Sequence, residues 1–486
     1  MPKSKPDDGR SGVFAAIPKT VSVVDGVAGD KQASLLQLLA LYTSLTRERS
    51  RGCWVNFHHR LLLAVVGRGY RQTIEELEKQ GIIEVNESYS TGLVDTEPFS
   101  KSYRFAKEHR HGRFRLHLIE DVWAIARATK LHEVDRFNLG ASGLYYRRMF
   151  DRFRIDVDLA ANDPLLQGFW AQWTIGRFAS GHEFGKRCAD AGRYHCLLTQ
   201  LPRQARRYVT TNALEPTTVV DISACQPLLL GLLAMLNVLP ARPSKQRASR
   251  QNVLPYGARF SRKDAPEDVQ LWLSLCESRE IYSFLCNEVH SQAGDARVRL
   301  LLKDGRKLTI DLKDLRPGAF KRACLIPLFD TVAATLANPV FQVMENRFPT
   351  IAQYVLQSKE QRYQDLAYLL QRAESELMID RLAEEFESDF PGEPIQPIHD
   401  ALLVRQAFAD DAIAAIKGQF AAIGLSPQVK TETHHGFSDM PGKRVGKRKN
   451  STTKGAASSK ASRRSWFQDM TGNHSRRVSD YFNAAD

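Results

Sequence analysis

Residues 217–230 read Thr-Thr-Val-Val-Asp-Ile-Ser-Ala-Cys-Gln-Pro-Leu-Leu-Leu. The valines predict a buried strand, because branched side chains pack well on a pleated surface. The leucines after Pro227 predict a helix. Asp221 therefore stands at the mouth of a strand-to-helix turn, a place that suits a divalent metal. A second aspartate lies in residues 395–404, Ile-Gln-Pro-Ile-His-Asp-Ala-Leu-Leu-Val. Here His399-Asp400 is expected at a tight turn between two strands. Two carboxylates from separate strands can hold a pair of Mg²⁺ ions, which together stabilise the attacking and leaving oxygens of a phosphoryl transfer. Mg²⁺ needs only one or two protein carboxylates, since phosphates and waters complete its shell. Taken singly, either aspartate reads better as a helix cap or a hairpin closure.

Around these two stretches lies a chain of 486 residues, long enough for roughly two to four domains. Hydrophobic residues at 43% and charged residues at 25% describe a globular protein and exclude collagen, a disulfide miniprotein or a mostly disordered chain. The formal charge of +13 points to a polyanion partner. Most of it lies in one place: residues 441–486 hold eleven Lys/Arg and three Asp/Glu, a net of +8. The seven cysteines form no CxxC pair, which argues against a zinc ribbon. An odd cysteine count and a polar N-terminus, MPKSKPDDGRSG, are expected of a cytoplasmic protein. The longest apolar run, residues 227–241, is too short to span a bilayer and reads as a buried core helix.

Upstream, residues 1–29 read as a flexible leader. Leu35, Leu38, Leu39, Tyr42 and Leu45 recur at helical spacing. A short helix fits 57–66, and a third, amphipathic one fits 70–80 with Ile74 and Leu77 on one face and Gly81 as its C-cap. The alternating Ile-Ile-Glu-Val-Asn-Glu and then Lys-Ser-Tyr-Arg-Phe-Ala read as two strands. Three helices and a two-stranded wing make a winged helix-turn-helix over residues 30–118. Arg71 and Lys79 on the third helix, with Arg68 before it, sit where phosphates would lie. Arg104, Lys107, Arg110, Arg113 and Arg115 do the same on the wing and its exit. The same module also serves protein–protein contacts. Residues 119–190 read as a helical, thumb-like connector, with Tyr145, Tyr146, Phe150, Phe153, Trp170 and Trp173 in the core. Residues 244–263 read as a loop, 354–388 as a long helical stretch, and 436–486 as a basic disordered tail. In that tail Trp466 and Phe467 favour single-strand stacking. Gln371 and Glu374 read as a solvated helical face. His58, His59, His182, His195 and His290 have no metal-ligand spacing.

Asp221-Ile-Ser-Ala-Cys-Gln-Pro-Leu-Leu-Leu resembles motif A of the family A DNA polymerases and the related single-subunit phage-type RNA polymerases. Pro397-Ile-His-Asp-Ala-Leu-Leu-Val resembles their motif C. Residues 316–329, Arg-Pro-Gly-Ala-Phe-Lys-Arg-Ala-Cys-Leu-Ile-Pro-Leu-Phe, resemble motif B, the fingers helix. Ala191-Gly192-Arg193, Leu201-Pro202 and Arg206-Arg207 are similar to the segment that precedes motif A. Arg279-Glu280-Ile281-Tyr282-Ser283 is similar to the segment between motifs A and B. All five pieces keep the family's order, over roughly residues 185–415.

The resemblance implies an α+β fold, with the winged helix followed by a polymerase-like right hand. Its palm and fingers would span 191–435, behind a reduced thumb. It implies template-dependent nucleotidyl transfer by a DNA polymerase of a mobile element or phage, using two Mg²⁺ ions. Asp221 and Asp400 would bind the metals. Lys321 would meet the triphosphate, with Arg316, Phe329 and Gln226 in the nucleotide site. Gln226, five residues after Asp221, stands where the DNA enzymes carry a Glu that blocks a 2′-hydroxyl. Arg193, Arg206, Arg207 and His399 would face nucleic acid. The partners implied are a DNA primer-template and nucleoside triphosphates, with duplex DNA on the N-terminal module and no membrane. Three positions depart from the pattern: Pro317 four residues before Lys321, Phe329-Asp330 at the end of motif B, and Ala401 after Asp400. Sugar preference therefore stays open, as do two alternatives: a non-catalytic DNA-binding protein on the same scaffold, and an RNA-synthesising, primase-like enzyme.

Overall fold

The computed structural model describes residues 13–45, 54–88, 100–110, 112–120, 139–181, 185–240, 253–254, 262–293, 297–301, 307–311 and 317–433. Arg316, His182, most of the 244–263 loop and the basic tail lie outside them. The fold is mixed α and β, with many helices and small antiparallel sheets. The chain divides into two compact units. One takes residues up to 132 with 157–180, the other 133–156 with 181–434.

The first unit opens with strand β1 (Val13–Pro18), inside the stretch expected to be a flexible leader. Ala15, Ala16 and Ile17 are fully buried there, and β1 pairs antiparallel with β5 (Phe114–Ile119) about a hundred residues later. A partner so distant leaves no local signal at the N-terminus. Helix α1 (Val27–Leu45) buries Leu35, Leu36, Leu38 and Leu39. Strand β2 (Val55–Asn56) and helices α2 (His59–Val65) and α3 (Tyr70–Lys79) follow, then β3 (Ile83–Asn86) and β4 (Ser102–Phe105). The expected two strands are joined by β2, giving the order β2-β4-β3. With only two residues, β2 is too short to show a period of two.

Helix α3 buries Ile74 and Leu77, the stripe its spacing predicts. It stops at Gly81, where φ is +70°. The Ile82 and Gly81 amides donate back to Leu77 O and Glu78 O at 2.9 and 2.8 Å, the paired bonds of a Schellman cap. Phe57 stacks on Tyr103 at 5.5 Å and receives the edge of Tyr42 at 5.2 Å, joining α1 to the small sheet. Helix Phe169–Ala179 lies on β1, and a Cβ at Gly176 would come within 3.0 Å of Phe14 and Leu116 side chains.

The second unit starts with α4 (Gly140–Phe150) and β6 (Phe153–Ile155), which pairs with β9 (Val209–Thr211). The wholly helical reading of 119–190 thus gains two strands, β6 and β7 (Gly185–Arg187), each made by pairing with a later segment. Tyr145, Tyr146, Phe150 and Phe153 are buried as expected. Trp170 and Trp173, partly buried, pack on the core of the first unit. Strand β7 forms a hairpin with β8 (Tyr194–Cys196).

At the centre of the unit is an antiparallel sheet in the order β13-β14-β10-β15. Its strands are β10 (Thr217–Ile222), β13 (Ile395–Ile398), β14 (Ala401–Arg405) and β15 (Val429–Thr433). A further hairpin joins β11 (Arg297–Leu301) to β12 (Lys307–Asp311). Helix α5 (Cys225–Met235) is buried along its whole apolar length. Helix α6 (Pro317–Phe329) covers the fingers-like stretch. The stretch 354–388 is broken between Gln357 and Gln364. It then runs as α7 (Gln364–Ser375), one π-helical turn at Glu376–Arg381, and α8 (Leu382–Asp389). Helix α9 (Ala409–Ala421) packs on the sheet and leads to β15.

Candidate active site

Both aspartates sit at strand ends, on neighbouring strands. Asp221 is next to last in β10, where its register partners are Ala401 on β14 and Lys430 on β15. Asp400 is the second residue of the two-residue turn between β13 and β14. The amide of Ile222 donates to the carbonyl of Asp400 at 3.2 Å, which ties the two segments together. The backbone is unusual three residues after Asp221 and immediately before Asp400. Ala224 has φ +53° and His399 has φ +60°, the left-handed region that non-glycine residues rarely enter. Such outliers cost on the order of 1–3 kcal/mol each and cluster at functional sites.

The electrostatics are those of crowded carboxylates. Burial pushes the Asp400 carboxyl up to about 7. The negative charges of Glu374 and Asp221 add to the rise, and Lys321 pulls against it. Asp221 is answered by the ammonium of Lys430 at 2.9 Å. His399 is held down to about 3 by burial and by the positive charge of Arg193, so its ring is neutral near pH 7. Among the described residues no three or more His, Cys, Asp or Glu gather as a metal cage. The carboxylates of Asp221, near the end of β10, and Asp400, in the adjoining turn, fit the sparse protein shell that Mg²⁺ takes beside phosphates.

Glu374 was read as part of a solvated face and is instead 2% exposed. It lies on α7 and receives the amide of Gln226 and two bonds from Arg193, at 3.0 Å from Nε and 2.8 Å from Nη2. Arg193, expected against a nucleic-acid backbone, therefore spends its guanidinium inside the protein. Helix α7 and the π-helical turn after it grip the β7–β8 hairpin at three more points. Arg372 donates to Asp190 O at 2.6 Å, Ser375 to Ala191 O at 3.2 Å, and Asp380 takes the Arg187 guanidinium at 2.7 Å. Gly192, with φ +70°, lies so close that a Cβ would sit 3.2 Å from Ser375.

The remaining expected residues fall at different distances from this centre. Gln226 is buried in the first turn of α5. Lys321 on α6 is exposed, with its ammonium 5.5 Å from the Tyr282 ring. Burial raises the Tyr282 hydroxyl, and Asp400 is among the smaller causes. Phe329 ends α6, half-buried, about 12 Å along the axis from Lys321 at 1.5 Å per residue. Arg206 is half-buried, and burial lowers its pKa. Arg207 is exposed and lies over Tyr208, donating to its hydroxyl at 3.0 Å.

In the first unit, Arg71 and Lys79 are exposed on α3, but Glu75 and Glu78 share that exposed surface. Arg104 and Arg110 are not spare charges, since both bind Glu84, at 2.7 and 2.6 Å. Arg104 also covers the Trp54 ring at 4.2 Å. Lys107 and Arg113 remain exposed, and half-buried Arg115 donates to Val21 O.

Sequence reasoning missed Lys430 and misplaced Glu374. Lys430 belongs to an ordinary alternating strand, and only its register against Asp221 marks it. Glu374 carried one usable signal: it sits between Ala373 and Ser375, in a helix whose leucines are also buried.

No protein-family model matches the chain, and no curated protein matches it. Among solved structures, it is similar to the POL domain of Pol1 from M. smegmatis, in complex with DNA primer-template and dNTP. The identity is 12% and the TM-score 0.32, over 51% of this chain and 47% of that one. The chain thus spans about half the length of that structure. No helix among the described residues is long and apolar enough to cross a membrane.

Proposed function

We propose that the chain adds nucleotides to a nucleic-acid 3′ end under the direction of a template, as a DNA polymerase of a mobile element or phage. The observation that carries this reading is the meeting of Asp221 and Asp400. They lie far apart in sequence, Asp221 near the end of β10 and Asp400 in the β13–β14 turn beside left-handed His399, tied by the Ile222–Asp400 bond. The order of the five motif-like segments supports it, as does Lys321, whose positive charge reaches Asp400.

In this reading Asp221 and Asp400 hold two Mg²⁺ ions. When bound, the ions supply charge stabilisation for the attacking and leaving oxygens. Lys321 binds the triphosphate as a point charge. Gln226, steadied by Glu374, forms the floor beneath the sugar. Arg193 acts as a positioning residue, holding the hairpin turn against α7. Arg206, Arg207 and His399 border the path of the primer-template. Phe329 and Arg316 complete the nucleotide side. The palm and fingers occupy 191–435, with a reduced thumb before them.

The first unit is proposed as a winged helix that grips duplex DNA. Its element order and the β2-β4-β3 sheet support this reading. With Arg104 and Arg110 engaged by Glu84, its phosphate contacts fall to Arg71, Lys79, Lys107 and Arg113. The basic tail adds affinity that falls with salt.

Primer extension tests the assignment. The protein is given an annealed primer-template and labelled deoxyribonucleotides, with Mg²⁺ or with chelator. Mg²⁺-dependent, template-matched extension is expected. Tight DNA binding without incorporation of either deoxyribonucleotides or ribonucleotides would favour the non-catalytic scaffold instead.

A further inference from the structure

Lys430 has no counterpart among the residues read for function, yet its ammonium contacts a metal-binding candidate, Asp221. It is the register partner of Asp221 in an antiparallel pair, so both side chains leave the sheet on the same face. Its ammonium lies 2.9 Å from Asp221 Oδ2. Strand β15 is an edge strand. The lysine side chain is 40% exposed, while that of Asp221 is 24% exposed. A flexible four-carbon stem on an edge can swing into water without disturbing the sheet.

The other charges facing this point are already committed or of the same sign as Asp221. Glu374 is occupied by Arg193 and Gln226. Asp400 is crowded by Glu374 and Asp221. Lys321 faces the Tyr282 ring, and Arg206, half-buried, acts on Asp221 as a more distant charge.

We propose that Lys430 is a built-in counter-ion for Asp221, occupying the cation position of the site until a divalent ion displaces it. The inference rests on the two-metal reading above. It adds that the Asp221 carboxylate is held in place by Lys430 in the metal-free protein, and that metal entry is a competition. The ammonium neutralises one carboxylate only, so a doubly charged ion that serves Asp221 and Asp400 together wins the exchange. Lys430 then swings outward, free to meet polyanion at the mouth of the site.

Two measurements on the full chain test this, neither relying on catalysis. Binding of Mn²⁺ is followed by the loss of the free-ion electron paramagnetic resonance signal. Lys430→Met, which keeps the stem and removes the charge, should bind Mn²⁺ about two- to fivefold more tightly than the parent, since a partly exposed pair is a modest competitor. Lys430→Arg should bind like the parent. Amine acylation read by mass spectrometry should show Lys430 reacting faster when Mg²⁺ is added. In Asp221→Asn it should react fast with or without Mg²⁺. Equal Mn²⁺ affinity in parent and Lys430→Met, with Mg²⁺ leaving Lys430 labelling unchanged, would overturn the counter-ion role while sparing the two-metal reading. Absence of Mn²⁺ binding in both proteins would overturn both.

Discussion

Replacing Arg193 by alanine strands Glu374, a carboxylate with 2% of its surface exposed and two bonds from that guanidinium. Breaking a buried ion pair from one side costs about 3–5 kcal/mol, because the surviving charge keeps its desolvation and loses its partner. The Gln226 amide remains and offsets a part, which places Arg193→Ala near 3 kcal/mol. The reverse change, Glu374→Ala, leaves Arg193, whose side chain is 19% exposed and can take up water. Its cost is smaller, about 2 kcal/mol. At roughly 2–4 °C per kcal/mol for a unit of this size, Arg193→Ala should lower Tm by on the order of 10 °C. In the double variant no stranded charge is left, so the single effects should fail to add by about 2 kcal/mol. Urea denaturation of the four proteins, followed by circular dichroism, gives that coupling. Additivity within about 0.5 kcal/mol would mean that the pair does not hold the hairpin to α7.

Asp400 yields a pH-dependent expectation. Its native carboxyl titrates near 7, above the usual carboxylate value of about 3.9, so the native state binds more protons than the unfolded state between those limits. Its contribution is therefore fully present below about pH 4 and is lost as pH rises through 7. Asp400→Asn should melt higher than the parent at pH 8, with the gap closing by pH 4, as followed by thermal denaturation. Gln226→Ala should raise ribonucleotide use against deoxyribonucleotide use roughly tenfold in competitive incorporation, since a smaller side chain opens the 2′ position. An unchanged ratio would remove Gln226 from the sugar pocket. Arg71→Ala with Lys79→Ala should weaken duplex binding and reduce the log–log salt slope by about 2. Retention of the parent slope would take α3 off the DNA.

Where order arises from neighbours in sequence, the reading was close. The stripe of Ile74 and Leu77, the Gly81 cap, the strand ahead of Asp221 and the turn at His399-Asp400 all follow from local periodicity and turn chemistry. Where order comes from distant pairing, it was hidden. Strand β1 exists because β5 arrives about a hundred residues later, and its polar flanks look like a leader until that partner is in place. The same limit explains the site. Asp221 and Asp400 were found because each sits on a signal of its own. Glu374 was misread because a helical Glu is usually solvated, and only Arg193, almost two hundred residues away, makes its burial tolerable. Lys430 needed the register of β15. The spent charges of Arg104 and Arg110 needed Glu84 on the neighbouring strand.

The central claim is that Asp221 and Asp400 act together on phosphoryl transfer. It is tested most directly by single-turnover primer extension in Mg²⁺ with the parent, Asp221→Asn and Asp400→Asn, with primer-template affinity measured in parallel. Both variants are expected to bind primer-template within a few-fold of the parent and to lose at least about 10³-fold in the rate of incorporation, the scale on which removing preorganised charge stabilisation acts. Incorporation at the parent's rate by either variant would contradict the account.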